Sequence, residues 1–103
     1  MHGTYNTSNS TYHITLENSF DFANHQAFRT SIKEAIANKA KRIAIDFSQT
    51  EYIDSSALGM LMLAKNETEN MDCTIDLENV HGYPLKMLGM VKFDKLFNIK
   101  AAE

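Results

Sequence analysis

Residues 43–65 read IAIDFSQTEYIDSSALGMLMLAK. The run from Ile43 to Phe47 is short and almost continuously apolar, which predicts a strand in the middle of a sheet, buried on both faces. Residues 54–56, Asp-Ser-Ser, carry side-chain oxygens that can accept hydrogen bonds from the free N–H groups of a first helical turn. Residues 57–64 are mostly apolar, so we expect a helix that begins at Ser55 and packs against the sheet.

On either side of this segment, strand and helix patterns alternate. Residues 11–17, TYHITLE, alternate apolar and polar side chains, as in a half-buried strand. Residues 23–39 place an apolar stripe on one face of an amphipathic helix, and residues 73–77 alternate again as a strand. Pro84 suits the first turn of a last helix. The order predicts an α/β fold, in which helices pack against a mixed, mostly parallel sheet of about four to five strands.

Length and composition limit the possible classes of protein. A chain of 103 residues predicts a single domain over residues 1–103, whose polar residues 1–10 either fray or add an edge strand around Tyr5. The net charge of −3 and the lack of a basic stripe argue against a nucleic-acid partner. No signal peptide is evident, and the apolar-rich run Ala57–Ala64 is far shorter than the ~20 residues of a membrane span. We therefore expect a cytoplasmic protein with no membrane partner and, by default, a monomer.

The residues that most often carry catalysis or metals show no recognisable pattern. Cys73 is the single cysteine, so the chain cannot form an internal disulfide or a zinc site built on thiolates. The histidines are scattered and match no metal-ligand spacing. No glycine-rich phosphate loop exists, and nothing places a histidine beside Ser55 for nucleophilic catalysis. We therefore expect no metal, no cofactor and no catalytic residue.

Residues 54–59, DSSALG, lie between the buried strand and the apolar helix, and they resemble the signature of STAS domains, especially of bacterial anti-sigma-factor antagonists. In that family the pattern reads Asp-Ser-Ser/Thr-Gly-Leu-Gly, so only Ala57 departs from it, by replacing the commoner glycine. Residues 85–99 are similar to the family's last helix and the short turn after it. The resemblance implies a STAS fold over nearly the whole chain.

The segment before the first predicted helix departs from the family more clearly. Residues 17–22, ENSFDF, stand where many antagonists carry a Gly-x-Leu/Phe-Asp turn. Phe20 and Asp21 match that turn, and the glycine is missing. Residues 20–29, FDFANHQAFR, are similar to a subgroup of antagonists that work with response-regulator-type phosphatases and kinases. The departure leaves the identity of the partner open and does not affect the predicted fold.

The resemblance implies a regulatory switch without enzymatic activity. In the family the first serine after the aspartate is the phosphoacceptor, and that position is Ser55 here. The unphosphorylated protein binds an anti-sigma factor, often the serine kinase itself, or a response-regulator-type regulator; phosphorylation releases it, and a phosphatase restores the cycle. The expected partner contacts are Asp21 and, in and after the motif, Asp54, Ser55, Ser56, Ala57, Gly59 and Met60.

The residues themselves leave alternatives open. Ser55 is either the phosphoacceptor or only a helix cap. Asp54 is either structural or positions the Ser55 hydroxyl or a metal bound by the kinase. Whether Ser56 can also be phosphorylated stays open. Glycine is costly inside a helix, so Gly59 suggests close approach of the sheet or of a partner, while Met60 is either core or a flexible contact. For the whole protein, the alternative is a constitutive STAS accessory subunit of an ABC-type lipid transport complex.

Overall fold

The computed structural model describes residues 1–103, and five of its strands form one sheet. These are β1 (His2–Asn6), β2 (Thr11–Thr15), β4 (Arg42–Asp46), β6 (Thr74–Val80) and β7 (Asn98–Ala101). Their order across the sheet is β1-β2-β4-β6-β7, and β1 alone pairs antiparallel with its neighbour. The predicted α/β fold with a mixed, mostly parallel sheet is confirmed.

Two further strands of two residues each lie outside this sheet. They are β3 (Ser19–Phe20) and β5 (Tyr52–Ile53), which pair in parallel with Phe20 opposite Ile53. Each short strand leads into a helical segment, a one-turn 3₁₀ helix at Phe22–Asn24 and the second α-helix. The pair therefore fixes the starts of these two segments side by side.

Three α-helices complete the fold: α1 (His25–Ala37), α2 (Ser55–Thr68) and α3 (Gly82–Met90). The predicted start of α2 at Ser55 agrees with the structure, and Pro84 lies in the first turn of α3 as expected. A second one-turn 3₁₀ helix follows α3 and leads into β7. All three α-helices contribute side chains to a single buried cluster, together with alternate residues of the sheet.

The two faces of the sheet differ in character, because successive side chains of a strand point to opposite sides. One face packs Ile14, Ile45 and Leu77 into the core, each with no exposed surface. The other face carries an ion-pair network in which Lys100 lies 3.6 Å from both Asp76 and Glu78. Arg42 also pairs with both carboxylates, at 3.0 Å from Glu78.

The expectation that β4 is buried on both faces is correct only for its centre. Ala44 is 1% exposed, whereas Arg42 and Asp46, which share its face of the strand, are half-buried. Polar side chains of the neighbouring strands, rather than a helix, surround this face. The short apolar run therefore predicted a central strand correctly, but the prediction that both faces are buried holds only for the middle of that strand.

The first residues form the edge strand β1, which rests on an aromatic ring of β2. A Cβ atom added at Gly3 would lie 2.5 Å from the Tyr12 hydroxyl oxygen and 2.8 Å from a ring carbon. Tyr12 is buried and donates a hydrogen bond of 2.6 Å to Glu34 of α1. Burial and this carboxylate raise the pKa of Tyr12 to about 12. The ring is therefore held in place, and glycine is required above it.

We predict that Gly3→Ala destabilises the protein by about 1–3 kcal/mol, because the added methyl group must displace Tyr12 or lift β1 from the sheet. Urea unfolding followed by circular dichroism measures the change. Gly89→Ala is the matched control, since a Cβ there meets no atom within 4 Å. Equal stability of the Gly3→Ala variant and the wild type would contradict this account of the edge strand.

Candidate functional site at the start of the second helix

Aspartate residues begin the two helical segments that the short strands position. Asp21 follows β3 and accepts a hydrogen bond from the backbone N–H of Ala23, at 3.1 Å. Asp54 follows β5 and accepts one from the backbone N–H of Ala57, at 3.0 Å. Both side chains satisfy N–H groups that a helix start leaves without partners. Because β3 and β5 pair in parallel, these two caps lie next to each other.

Ser55 is the first residue of α2, and its side chain is exposed. Asp54 is the N-cap residue of this helix, and the Ser55 hydroxyl takes part in no hydrogen bond within the chain. The structure thus disfavours the alternative in which Ser55 is only a helix cap, because a neighbouring residue already has that role. The hydroxyl is accessible at the positive end of the helix dipole.

The other predicted contact residues divide between surface and core. Ser56 is half-buried in the first turn, and Gly59 is exposed one turn further along. Ala57 has no exposed surface, and Met60 is 9% exposed, so both belong to the buried cluster. Their burial leaves these two side chains almost no surface to offer a partner, so contact of either with a partner stays a prediction. They lie on the inner side of α2, where Met60 borders α1.

Gly59 leaves open space above the helix. A Cβ atom added there would meet nothing within 4 Å, so the expected close approach of the sheet does not occur. Ser55, Gly59 and the 54% exposed Leu63 follow one another at four-residue spacing and form a stripe on the outer face of α2. Sequence reasoning missed Leu63, although counting in fours from Ser55 would have found it.

Sequence reasoning also missed several exposed aromatic side chains near the starts of the helices. Tyr52 of β5 and Tyr83 of α3 are each about half exposed, and their rings stack with centroids 5.8 Å apart and planes 5° apart. Phe22, 62% exposed, stacks on His25 at the start of α1. The sequence offered one hint of an aromatic surface here, namely Tyr52, two positions before Asp54. The pairing itself joins residues far apart in the chain.

The loops at the carboxyl ends of the parallel strands are joined by hydrogen bonds, and they carry acidic side chains without Lys or Arg. His81 contacts the Ser48 carbonyl through Nε2 at 3.0 Å, and Asn79 donates to Asp46 at 3.0 Å. Burial opposes ionisation of Asp46, but hydrogen bonds from Asn79 and Ser48 outweigh it and lower the pKa of this carboxyl. Residues 16–24, 46–55 and 78–85 include acidic side chains and contain neither Lys nor Arg.

Two further observations concern metal-binding clusters and membrane-spanning helices. No group of three or more His, Cys, Asp or Glu side chains is placed to hold a metal ion. None of the helices has the length and apolar character needed to cross a membrane. The features that stand out at the start of α2 are therefore an exposed hydroxyl, two capping carboxylates and an exposed aromatic pair.

Comparison with known proteins identifies the family. The family model for the STAS domain matches residues 4–103, so the chain belongs to the STAS family. A STAS-domain containing protein of Pseudomonas aeruginosa is 36% identical over 86 residues, which are 84% of this chain and 84% of the relative. The family predicted from the DSSALG motif is confirmed.

Two solved structures that belong to proteins with different functions in their names share the fold of this chain. The anti-sigma factor antagonist SpoIIAA, in its unphosphorylated form, superposes with a TM-score of 0.73 at 21% identity, covering 99% of this chain and 87% of its own. A sulfate transporter family protein of Wolinella succinogenes gives a TM-score of 0.78 at 13% identity, covering 88% of this chain and 76% of its own. At these identities the likeness concerns the fold, and function must be argued from the site.

We predict that Asp54→Ala lowers the free energy of unfolding by about 1 kcal/mol, because it removes the side-chain cap of α2. Ser55→Ala is the matched control and should change stability by less than about 0.5 kcal/mol, as an exposed side chain without partners does. Urea unfolding measures both. A loss in Ser55→Ala as large as that in Asp54→Ala would assign the capping role to Ser55.

Proposed function

We propose that this chain is an anti-sigma-factor antagonist that works by partner switching in the bacterial cytoplasm. The unphosphorylated chain binds an anti-sigma factor with serine kinase activity, or a response-regulator-type regulator, and phosphorylation of Ser55 releases it. A cognate phosphatase removes the phosphate. The observation that carries this proposal is the exposed Ser55 hydroxyl, which has no hydrogen-bond partner while Asp54 caps the helix. In this scheme the chain is a substrate and a binding partner, and it catalyses nothing itself.

A phosphate on Ser55 is compatible with the fold. It would add about −1.5 to −2 charges at the N-terminus of α2, where the free N–H groups and the helix dipole favour an anion. Asp54 keeps its hydrogen bond to Ala57 in either state, since the cap does not involve Ser55. Phosphorylation therefore acts on the docking surface and leaves the domain folded.

A phosphate on Ser55 would release a partner because its desolvation would cost more than nearby ion pairs could return. Ser55, Gly59 and Leu63 offer a smooth, largely uncharged stripe on which a partner can pack. Burying an anion in such a contact costs several kcal/mol or more unless a cation meets it, and the segments around Ser55 supply none. Exposed ion pairs at the rim contribute about 1 kcal/mol or less, so they cannot offset this cost.

Family membership and the 36% identical relative support this proposal, as does the shared fold of SpoIIAA. The intact serine pair after Asp54 favours a switch over a constitutive accessory subunit of a lipid transport complex. In a subunit that only needed a helix cap, Asp54 alone would suffice. Ser56, half-buried in the first turn, is the less accessible of the two hydroxyls.

We predict that Ser55→Asp folds normally and binds the partner at least tenfold more weakly than Ser55→Ala, because a charge enters the centre of the contact. The partner is first captured from lysate of the native host with Ser55→Ala as bait and identified by mass spectrometry. Calorimetry on the purified pair then gives the dissociation constants, and circular dichroism checks the fold of each variant.

Ser8→Asp is the matched control, because Ser8 is exposed in the turn between β1 and β2, at the opposite edge of the sheet. It adds the same charge and should leave partner binding unchanged. Equal binding by Ser55→Ala and Ser55→Asp would overturn the switch. Capture of the same membrane transport components by both baits would favour the accessory-subunit alternative.

A further inference from the structure

The stacked tyrosines beside Ser55 are an exposed feature that the fold does not need for its core. Tyr52 is 49% exposed and Tyr83 is 48% exposed, so each ring offers surface to solvent while it contacts the other. They come from β5 and α3, which lie in direct contact with each other. The aromatic surface lies immediately before Asp54 and the start of α2. Tyr52 stands three residues before Ser55, so the aromatic pair lies near the N-terminal end of the stripe.

A small pocket next to this stack combines an aromatic ring with a carboxylate. It has a volume of about 240 Å³ and is lined by Glu51, His81, Gly82 and Tyr83. Glu51 is exposed and makes no ion pair or hydrogen bond through its side chain. A Cβ added at Gly82 would meet nothing within 4 Å, so this side of the pocket is open to an incoming group. The contact between His81 Nε2 and the Ser48 carbonyl holds the imidazole ring that lines one side of the pocket.

The charge of the surroundings selects the kind of group that can enter. Residues 43–64 contain Asp46, Glu51 and Asp54 and no Lys or Arg, and residues 66–85 contain no Lys or Arg either. Glu51 takes part in none of the ion pairs of the chain, and the nearest lysine along α3 is Lys86, three residues after Tyr83. The faces of tyrosine rings carry negative electrostatic potential and attract cations within about 6 Å. A guanidinium group is planar, weakly hydrated and able to stack on a ring while it bonds a carboxylate.

We propose that the pocket lined by Glu51 and Tyr83, whose ring stacks on that of Tyr52, binds an arginine side chain of the partner protein and so anchors the partner near the start of α2. This inference rests on the proposed function, because it takes the start of α2 as the docking surface. The anchor lies at the rim of that surface, whereas Ser55 lies in its centre. Arginine binding therefore sets which partner is recognised, and the state of Ser55 sets whether that partner stays bound.

The test uses N-acetyl-arginine amide as the probe and needs neither the partner nor phosphorylation. The full chain, labelled with nitrogen-15, is titrated at constant ionic strength while the backbone amides of Glu51, Tyr52, Gly82 and Tyr83 are followed by NMR. We expect saturable shifts confined to this pocket and tighter binding than for N-acetyl-lysine amide. Tetramethylammonium is the third probe, because it reports on a site for a small-molecule cation.

Variants assign the effect to the proposed groups. Glu51→Gln removes the charge of an exposed side chain and should weaken arginine binding about two- to fivefold. Tyr83→Leu removes the ring that lines the pocket and should weaken binding by a similar factor. Tyr83→Phe keeps the ring and should bind arginine as the wild type does. Shifts scattered over the surface, or binding that Glu51→Gln leaves unchanged, would overturn the proposal. Tighter binding of tetramethylammonium than of the arginine probe would also overturn it.

The same titration on Ser55→Ala separates this inference from the switch. Arginine binding should be unchanged in that variant, since the Ser55 hydroxyl is not part of the pocket. Loss of binding in Ser55→Ala would contradict the separation of anchor and switch. A pocket that binds arginine in a protein whose Ser55 proves inert would leave the anchor intact and remove the phosphorylation step alone.

Discussion

The hydrogen bond from the Ala57 backbone N–H to the Asp54 carboxylate is the interaction on which the site depends. It closes the N-terminus of α2 with a side chain that precedes the helix, at 3.0 Å. Ser55 can then occupy the first helical position while its hydroxyl makes no hydrogen bond within the chain. A serine that had to cap its own helix would lose that contact when modified, and phosphorylation would then change the stability of the fold as well as its surface.

The rest of the structure holds this cap at the edge of the sheet. The parallel pair of β3 and β5 sets Asp54 beside Asp21, so that two helical segments start together. Contacts between the loops keep the same edge rigid, among them the bond of Thr50 to the Glu17 carbonyl at 2.7 Å. Behind it, α2 is anchored by its buried side chains in the cluster that all three helices share with the sheet. A rigid scaffold with chemistry at its loops is the usual arrangement in α/β folds.

Sequence reasoning reached the fold and the position of Ser55 because both depend on local patterns. Apolar alternation identified β2, and the Asp-Ser-Ser group identified the start of α2. It did not reveal that Ala57 and Met60 face inward, because α2 is apolar over most of its circumference and the pattern does not show which face is buried. It also missed the Tyr52–Tyr83 stack, which depends on tertiary contact between β5 and α3. Local periodicity contains no information about such pairs.

The most direct test of the central claim is to map phosphorylation on the protein purified from its native host. Trypsin should release residues 43–65 as one peptide, because no Lys or Arg lies between Arg42 and Lys65. Fragmentation of that peptide by mass spectrometry distinguishes Ser55 from Ser56, Thr50 and Ser48. The account predicts a phosphate on Ser55 in part of the population and its loss in Ser55→Ala. A phosphate on Ser56 instead, or an unmodified peptide under every growth condition sampled, would contradict it.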